Sequence, residues 1–125
     1  MAKAVKILVV DDEKSILDFL KEVVESQGFS FLPAQSGEEA MNKIKEERPD
    51  LVILDIVMPG LDGLAVLRLI REENKTLPVV ILTAYGTNEK VKEAMQLNVS
   101  GFIPKGASVK KTLSKIRTVL KMRLK

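Results

Sequence analysis

Five side chains of this sequence have the types and the spacing needed for phosphoryl chemistry. Asp11 and Asp12 follow one short apolar run, and Asp55, Thr83 and Lys105 each follow another. Crowded carboxylates repel one another unless a cation neutralises them, and an oxygen-rich cluster without histidine suits Mg²⁺. One carboxylate could then attack phosphorus, while the lysine and the hydroxyl hold the phosphoryl oxygens.

The composition limits which other chemistry is available. The 125 residues, 46% of them hydrophobic, supply one core, so we predict a single domain over residues 1–125. Without cysteine or histidine, a disulfide framework, a Cys-based zinc site and a histidine base are excluded. No apolar run approaches the roughly 18 residues of a membrane span, and the N-terminus does not resemble a signal peptide. The sequence therefore predicts a cytoplasmic protein that does not contact a membrane.

Five short apolar runs predict the strands that position these side chains. They are Val5 to Val10, Phe29 to Ala34, Leu51 to Leu54, Val79 to Leu82 and Gly101 to Ile103. The first, third and fourth are continuous rather than alternating, as in parallel strands that are covered on both faces. Pro33 and Pro104 indicate that the second and fifth strands are edges, since proline cannot donate to a sheet ladder. We therefore predict an α/β fold, a doubly wound five-stranded parallel sheet of flavodoxin-like order 2-1-3-4-5.

Segments with helical spacing lie between and after the strands. The residues with this spacing are Ile16, Leu20, Val23 and Gln27; Ala40, Met41 and Ile44; Leu64, Leu67 and Ile70; Val91, Ala94, Met95 and Leu97; and Val109, Leu113, Ile116 and Leu120. The last set is predicted to form the stripe that covers the sheet. Gly28 is expected to cap the first helix, and Ser36 to open the second with a capping box.

The predicted strand order brings the reactive side chains to one edge of the sheet. Sites in open parallel sheets form at the carboxyl ends of the strands, and strands 1, 3, 4 and 5 are neighbours in this order. At about 4.8 Å between strands the row spans roughly 14 Å, so Lys105 must reach back on its long stem. Each residue alone has an ordinary explanation as a helix cap, an Asx turn or a solvated side chain. Their coincidence at four strand ends is what predicts a site.

The segments at these strand ends resemble the signature segments of receiver domains from bacterial two-component response regulators of the chemotaxis-regulator type. The segments are Ile7 to Glu13, Leu54 to Gly63, Leu82 to Ala84 and Gly101 to Lys105, in the family's order and with family-like spacing. The resemblance covers essentially the whole chain. It implies a phosphorylation-switched signalling domain that is not a conventional enzyme but mediates its own phosphorylation and slow dephosphorylation.

The resemblance also implies roles for individual residues in phosphate and metal binding. Asp55 is the expected phosphoacceptor, and Lys105 is expected to hold the phosphoryl oxygens. Asp12 and Asp55 are expected to bind Mg²⁺ directly together with the backbone carbonyl of Val57, and Asp11 is expected to act through water.

A further pair of residues is expected to switch. By resemblance, the Thr83 hydroxyl moves toward the phosphoryl group and the Phe102 ring turns inward behind it. Asp62 receives no such role, because Pro59 to Gly63 is typical of a turn that aims the preceding loop.

Two features depart from the family pattern. Receivers commonly follow the lysine with a proline in a cis peptide, whereas Gly106 follows Lys105 here. A cis bond without proline costs about 2.5–4 kcal/mol, so we expect a trans peptide or a mobile loop. The switch aromatic is Phe102 rather than the frequent tyrosine, so its position can be sensed by packing but not through a ring hydroxyl.

The positions that flank the path of attacking water in receivers also carry a prediction. They are Val57 and Tyr85, one apolar and one bulky, and neither acts readily as a base at neutral pH. We therefore expect the aspartyl phosphate to hydrolyse slowly.

Three other functions compete with this interpretation. A haloacid-dehalogenase-like phosphohydrolase needs a second acid two residues after its nucleophile, where this chain has Val57. A flavodoxin-like cofactor carrier needs a phosphate-binding loop where Asp11 and Asp12 stand. A degenerate receiver that serves as a phosphorylation-independent docking module is the stronger rival, although the intact set of reactive residues argues against it.

Charge and resemblance together indicate the partners. Seven of the 20 basic side chains fall in residues 108–125, where no acid occurs, which leaves 13 basic against 17 acidic residues elsewhere. That balance predicts no general nucleic-acid-binding surface. The resemblance implies phosphorylation by a sensor histidine kinase or phosphotransfer protein. It also implies an output partner, or a dimer that forms on phosphorylation, at the helix 4/strand 5/helix 5 face.

Overall fold

A five-stranded parallel sheet lies at the centre of the fold, with the predicted order β2-β1-β3-β4-β5. The computed structural model describes residues 4–58, 63–84 and 88–124. The elements are β1 (Lys6–Val10), α1 (Lys14–Glu25), β2 (Ser30–Ala34), α2 (Gly37–Glu47), β3 (Leu51–Asp55), α3 (Gly63–Glu73), β4 (Val79–Thr83), α4 (Asn88–Met95), β5 (Gly101–Pro104) and α5 (Val109–Leu124). The predicted fold is confirmed. Pro33 and Pro104 both lie in edge strands, as expected for residues without an N–H donor.

Helices cover both faces of the sheet, which explains why the central strands are apolar throughout. Leu8 and Val10 of β1 point into a cluster with residues of α2, α3 and α4. Ile7 and Val9 of the same strand point into a second cluster with residues of α1 and α5. Because successive side chains of a strand alternate between faces, a strand buried on both sides has no polar position to offer.

The predicted helix ends agree with the structure in part. Ser36 is the N-cap of α2, and its hydroxyl accepts a hydrogen bond from the Glu39 N–H at 3.1 Å, as predicted. The first helix ends earlier than its helical pattern, so Gln27 lies in the turn beyond α1. Gly28 adopts φ +78° in that turn, a conformation that glycine reaches without a Cβ penalty.

Two apolar positions of the helical patterns are exposed, and the prediction that Val109 helps to cover the sheet is wrong. Met95, the last residue of α4, is 61% exposed, and Val109, the first residue of α5, is 49% exposed. Among residues 109–121 of α5, the buried ones are Thr112, Ile116, Val119 and Leu120. The buried stripe of α5 is therefore rotated from the predicted one: it includes Thr112 and Val119 and excludes Val109. A search for apolar residues misses Thr112, because threonine is polar. No helix in the described part of the chain has the length and apolarity needed to cross a bilayer.

Candidate functional site

Three carboxylates meet at the carboxyl ends of β1 and β3. Asp11 and Asp12 follow β1 directly, Asp55 ends β3, and the two strands are paired neighbours. One carboxylate oxygen from each residue lies within 4.8 Å of the other two. Asp11 and Asp55 are buried whereas Asp12 is exposed. The cluster thus has two fixed oxygen donors inside and a third at the solvent edge.

Backbone hydrogen bonds orient the two buried carboxylates. Asp11 Oδ1 accepts from the Glu13 N–H at 2.8 Å, and Asp55 Oδ1 accepts from the Val57 N–H at 3.0 Å. Both are bonds from a side chain to the backbone two residues later, the Asx-turn pattern. The ordinary explanation of Asp55 as a turn former is therefore correct, Asp11 forms the same turn rather than a helix cap, and both turns are compatible with a site. Each turn leaves the second carboxylate oxygen for other partners.

Lys105 reaches the carboxylates from the end of β5. Its Nζ lies 2.9 Å from Asp55 Oδ2, 3.1 Å from Asp11 Oδ2 and 3.2 Å from Glu13 Oε1. Burial disfavours the charged form, yet the hydrogen bond to Asp55 and the negative charges of Asp55 and Asp11 raise the pKa of Lys105 above its ordinary value. Lys105 is therefore a fixed cation at neutral pH.

Asp11 is a buried acid whose charged form is only partly stabilised by its surroundings. Burial and the nearby charge of Asp55 raise the pKa of its carboxyl, against the lowering effect of the Glu13 N–H bond and of Lys105. Its Oδ2 lies close to Lys105 Nζ but outside hydrogen-bond geometry, and no donor in the described part of the chain is aligned with it. A buried oxygen with spare capacity beside two other carboxylates fits a hard, oxygen-seeking cation such as Mg²⁺.

The remaining predicted residues lie on the neighbouring strands. Thr83 ends β4, is half-buried, and its carbonyl accepts the Lys105 N–H at 2.6 Å. Phe102 lies in β5, half-buried against the cluster that includes α4. Val57 follows β3 with an exposed side chain. The peptide after Lys105 is trans, and Gly106 adopts φ +91°.

The structure thus brings the three carboxylates and the lysine together. It sets Thr83 at the adjacent strand end and Phe102 one strand further, within β5. Asp62 and Tyr85 lie outside the described residues.

Two residues at this edge were not singled out from the sequence. Glu13, the N-cap of α1, forms no capping hydrogen bond with its side chain and instead pairs with Lys105. Gly63 opens α3 against the backbone of the Asp55 turn. A Cβ atom added there would overlap the Asp55 carbonyl and come 2.5 Å from Ile56 Cα. A third consecutive acid and a glycine that opens an apolar helix were the available signals.

Comparison with known proteins assigns the chain to a family. A model of the response regulator receiver domain matches residues 7–117, so the chain belongs to that family. The response regulator MprA of Mycolicibacterium vanbaalenii is 35% identical over 117 residues, which are 94% of this chain and 51% of that protein. The alkaline phosphatase synthesis transcriptional regulatory protein PhoP of Bacillus subtilis is 34% identical over 116 residues, 93% of this chain and 48% of that protein.

A solved structure agrees with the family assignment. The chemotaxis protein CheY4 of Vibrio cholerae superposes with a TM-score of 0.87 at 27% identity, over 94% of this chain and 99% of that one. The chain spans about half the length of the curated relatives it matches. Members of this family are phosphorylation-switched signalling domains, typically bind Mg²⁺ and are generally not conventional enzymes.

Proposed function

We propose that this chain is a working receiver in which Asp55 accepts a phosphoryl group from a histidine kinase, a phosphotransfer protein or a small phosphodonor. The observation that carries the proposal is the Lys105 ammonium 2.9 Å from Asp55 Oδ2 in a cluster of three carboxylates. A cation fixed beside a nucleophilic oxygen is positioned to bind the phosphoryl oxygens that arrive there. A docking module that needs no phosphorylation would use the same ion pairs only as structural contacts, so the labelling experiment below separates the two functions.

The site supports transfer by direct displacement. An oxygen of Asp55 forms a bond to phosphorus while the bond from phosphorus to the donor's nitrogen or oxygen breaks, and the leaving group keeps the electron pair. Asp12 and Asp55 with the Val57 carbonyl, and Asp11 through water, would hold Mg²⁺, which supplies charge neutralisation when bound. Lys105 and the Thr83 hydroxyl then donate to the transferred oxygens.

The decisive experiment is phosphorylation by acetyl phosphate with Mg²⁺, followed by intact-mass analysis. We expect a single added phosphoryl group in the parent and none in Asp55→Ala. Excess chelator should abolish the labelling. Labelling that survives in Asp55→Ala or in chelator contradicts the assignment of Asp55, and a parent that stays unlabelled leaves the docking module as the better function.

The lifetime of the phosphoryl group follows from the residues around Asp55. Val57 is exposed two positions after Asp55 and its side chain can neither bind nor deprotonate a water. The proposed product therefore hydrolyses slowly, and Val57→Asn combined with Tyr85→Glu should release phosphate faster. Phosphate release from purified phosphoprotein measures the rate, and equal decay of parent and double variant would refute this role of the two positions.

The proposed output surface is the basic face of α5 together with α4 and β5. Lys110, Lys111, Arg117 and Lys121 of α5 are exposed, whereas Lys115 is half-buried with its stem over Gly101 of β5. These cations favour an acidic partner, or a second copy of this chain, at the α4/β5/α5 face once Thr83 and Phe102 switch.

Salt and charge reversal test this surface. Exposed charges are screened beyond about 10 Å at 0.1 M salt, so affinity should fall as salt rises. Sedimentation and partner titration of both phosphorylation states should differ, and Lys110→Glu/Lys111→Glu should remove the difference. If neither phosphorylation nor charge reversal alters association, the basic helix is only a solvated face.

The single domain over residues 1–125 and the cytoplasmic location remain predictions.

A further inference from the structure

A buried hydroxyl lies beneath the segment that carries Lys105. Thr112 of α5 is completely buried, yet Oγ1 has no hydrogen-bond partner among the residues that the structure describes. A helical threonine commonly donates to the carbonyl four residues earlier, as Thr118 does to Ser114 at 2.9 Å. Thr112 does not do so. Because leaving a buried hydroxyl without a hydrogen bond costs free energy, the lack of a partner for Thr112 needs a physical explanation.

The hydroxyl borders a small cavity between α1 and the segment from β5 to α5. The cavity has a volume of about 10 Å³. Its walls are apolar residues of α1, β4 and β5, together with Thr112 and the run from Pro104 to Ala107. This volume is about the minimum that holds a single water molecule.

The chain between β5 and α5, residues 105–108, is anchored by the Lys105 side chain at one end, whereas the residues after it have few anchoring contacts. The Lys105 N–H bonds to the Thr83 carbonyl, and the Ala107 N–H bonds to the Pro104 carbonyl at 3.1 Å. Gly106 between them has no side chain and adopts φ +91°. The Ser108 hydroxyl is engaged by the Lys111 N–H at the start of α5. Lys105, Gly106 and Ala107 line the cavity together with Thr112, so their backbone oxygens are available to a water that binds Thr112.

We propose that one water molecule occupies this cavity, bridges the Thr112 hydroxyl to the backbone of residues 105–107, and thereby fixes the loop that holds Lys105. Thr112 is a positioning residue in this scheme, because it acts on the phosphoryl site only through the loop. The positioning half of the inference rests on the proposed function of Lys105, whereas the hydration half does not.

Water relaxation and unfolding test the hydration half. Magnetic relaxation dispersion should count one fewer long-lived internal water in Thr112→Val than in the parent, and Thr112→Ser should retain it. The urea midpoint should fall in Thr112→Val, because the water loses a partner. A rise in the midpoint means that the hydroxyl was dry and unpaired. A small change equal to that of Thr118→Val means that it bonds a backbone carbonyl, and either result, or an unchanged water count, overturns the proposal.

Phosphorylation kinetics test the positioning half. With acetyl phosphate, Thr112→Val should be phosphorylated about 3- to 10-fold more slowly, because small displacements of a binding group lower rates strongly. The increase in melting temperature on adding Mg²⁺ should stay the same, since the metal ligands lie on β1 and β3, and Thr112→Ser should restore the rate. An unchanged rate with a lost water overturns the positioning role. A parent that is not phosphorylated refutes the proposed function instead and leaves the water count valid.

Discussion

Two cations of this protein, the half-buried Lys105 and the buried Arg71, are held in opposite ways. The Lys105 side chain is 16% exposed and contacts three carboxylates. Arg71 is 8% exposed and donates to three backbone carbonyls, those of Leu97 and Asn98 at 2.8 Å and that of Asn74 at 3.0 Å. One cation has charged and exchangeable partners, and the other has neutral and fixed ones.

The difference predicts which of the two cations can exchange its partners. Carboxylates can pass from an ammonium to a metal ion, and lysine is a compact charge on a flexible stem, so the Lys105 cluster can rearrange. Backbone carbonyls carry no net charge that a metal ion could take over. The rigid guanidinium group of Arg71 therefore holds the end of α3 against the turn between α4 and β5. Burial lowers the pKa of Arg71, but an arginine stays charged in proteins.

The largest expected effect is on the rate of phosphorylation in Lys105→Met. Removing a fixed charge beside developing negative charge typically costs on the order of 100-fold in rate. Mg²⁺ should bind more tightly to the same variant, because a competing cation is gone from the carboxylates. Intact-mass time courses with acetyl phosphate over a range of Mg²⁺ concentrations measure both quantities.

The matched control for this variant is Lys111→Met, which removes an equal charge from an exposed position of α5. Its rate should match that of the parent. If Lys105→Met is phosphorylated within about twofold of the parent, Lys105 is a structural cation like Arg71, and the contrast between the two disappears.

The second effect is on stability and should leave chemistry alone. In Arg71→Lys, the single ammonium group cannot donate to all three carbonyls that the planar guanidinium group reaches. We therefore expect a loss of about 2–3 kcal/mol in the free energy of unfolding. Urea denaturation followed by circular dichroism measures the loss. The phosphorylation rate of the folded protein should not change.

Arg68→Lys is the control for Arg71, since it changes an arginine of the same helix. Arg68 pairs with Glu93 of α4 at 2.8 Å, and both side chains are at least half exposed. Such pairs contribute about 0–1 kcal/mol. Equal losses in the two variants would mean that the buried guanidinium is not a special attachment point.

The comparison also shows what the sequence could predict. The site around Asp55 is foreseeable because parallel strands bring their carboxyl ends to one edge, and acids after apolar runs are visible in a sequence. The attachment by Arg71 is not, because its partners are backbone carbonyls, which every residue has. The helical spacing puts Arg71 nearer than Arg68 to the predicted apolar stripe, but it does not identify the carbonyls that Arg71 contacts.

The exposed apolar positions of the helices have a different origin. Met95 and Val109 stand at helix ends, where a short apolar pattern fits more than one rotation of the helix and the neighbouring turn decides exposure. The position of Glu13 depends on the reach of Lys105 from a strand far along the chain. The proximity of Gly63 to the Asp55 backbone likewise follows from tertiary packing.

The third prediction is that Mg²⁺ stabilises the protein through the carboxylates at the ends of β1 and β3, independently of Arg71. A ligand at 100 times its dissociation constant adds about 2.7 kcal/mol to the free energy of unfolding. We expect an increment of that order or less in the parent and in Arg71→Lys, because distant sites are additive. Asp12→Asn should lose most of it. Thermal melts with and without Mg²⁺ measure the increments, and one that survives in Asp12→Asn would indicate a metal bound elsewhere.

The smallest expected effect is that of Glu13→Gln, which separates the exposed partner of Lys105 from the two buried ones. The Glu13 carboxylate is more than half exposed, so its pairing with Lys105 should contribute less than about 1 kcal/mol to stability. Removing its charge leaves Lys105 to Asp55 and Asp11, and we expect the phosphorylation rate to change by less than about threefold. Because exposed charges are screened beyond about 10 Å at 0.1 M salt, the difference between parent and variant should shrink as salt rises, whereas the effect of Lys105→Met should persist. Rates measured by intact mass at low and high salt decide this. A change as large as that of Lys105→Met, or one that salt does not alter, would make Glu13 an equal member of the cluster.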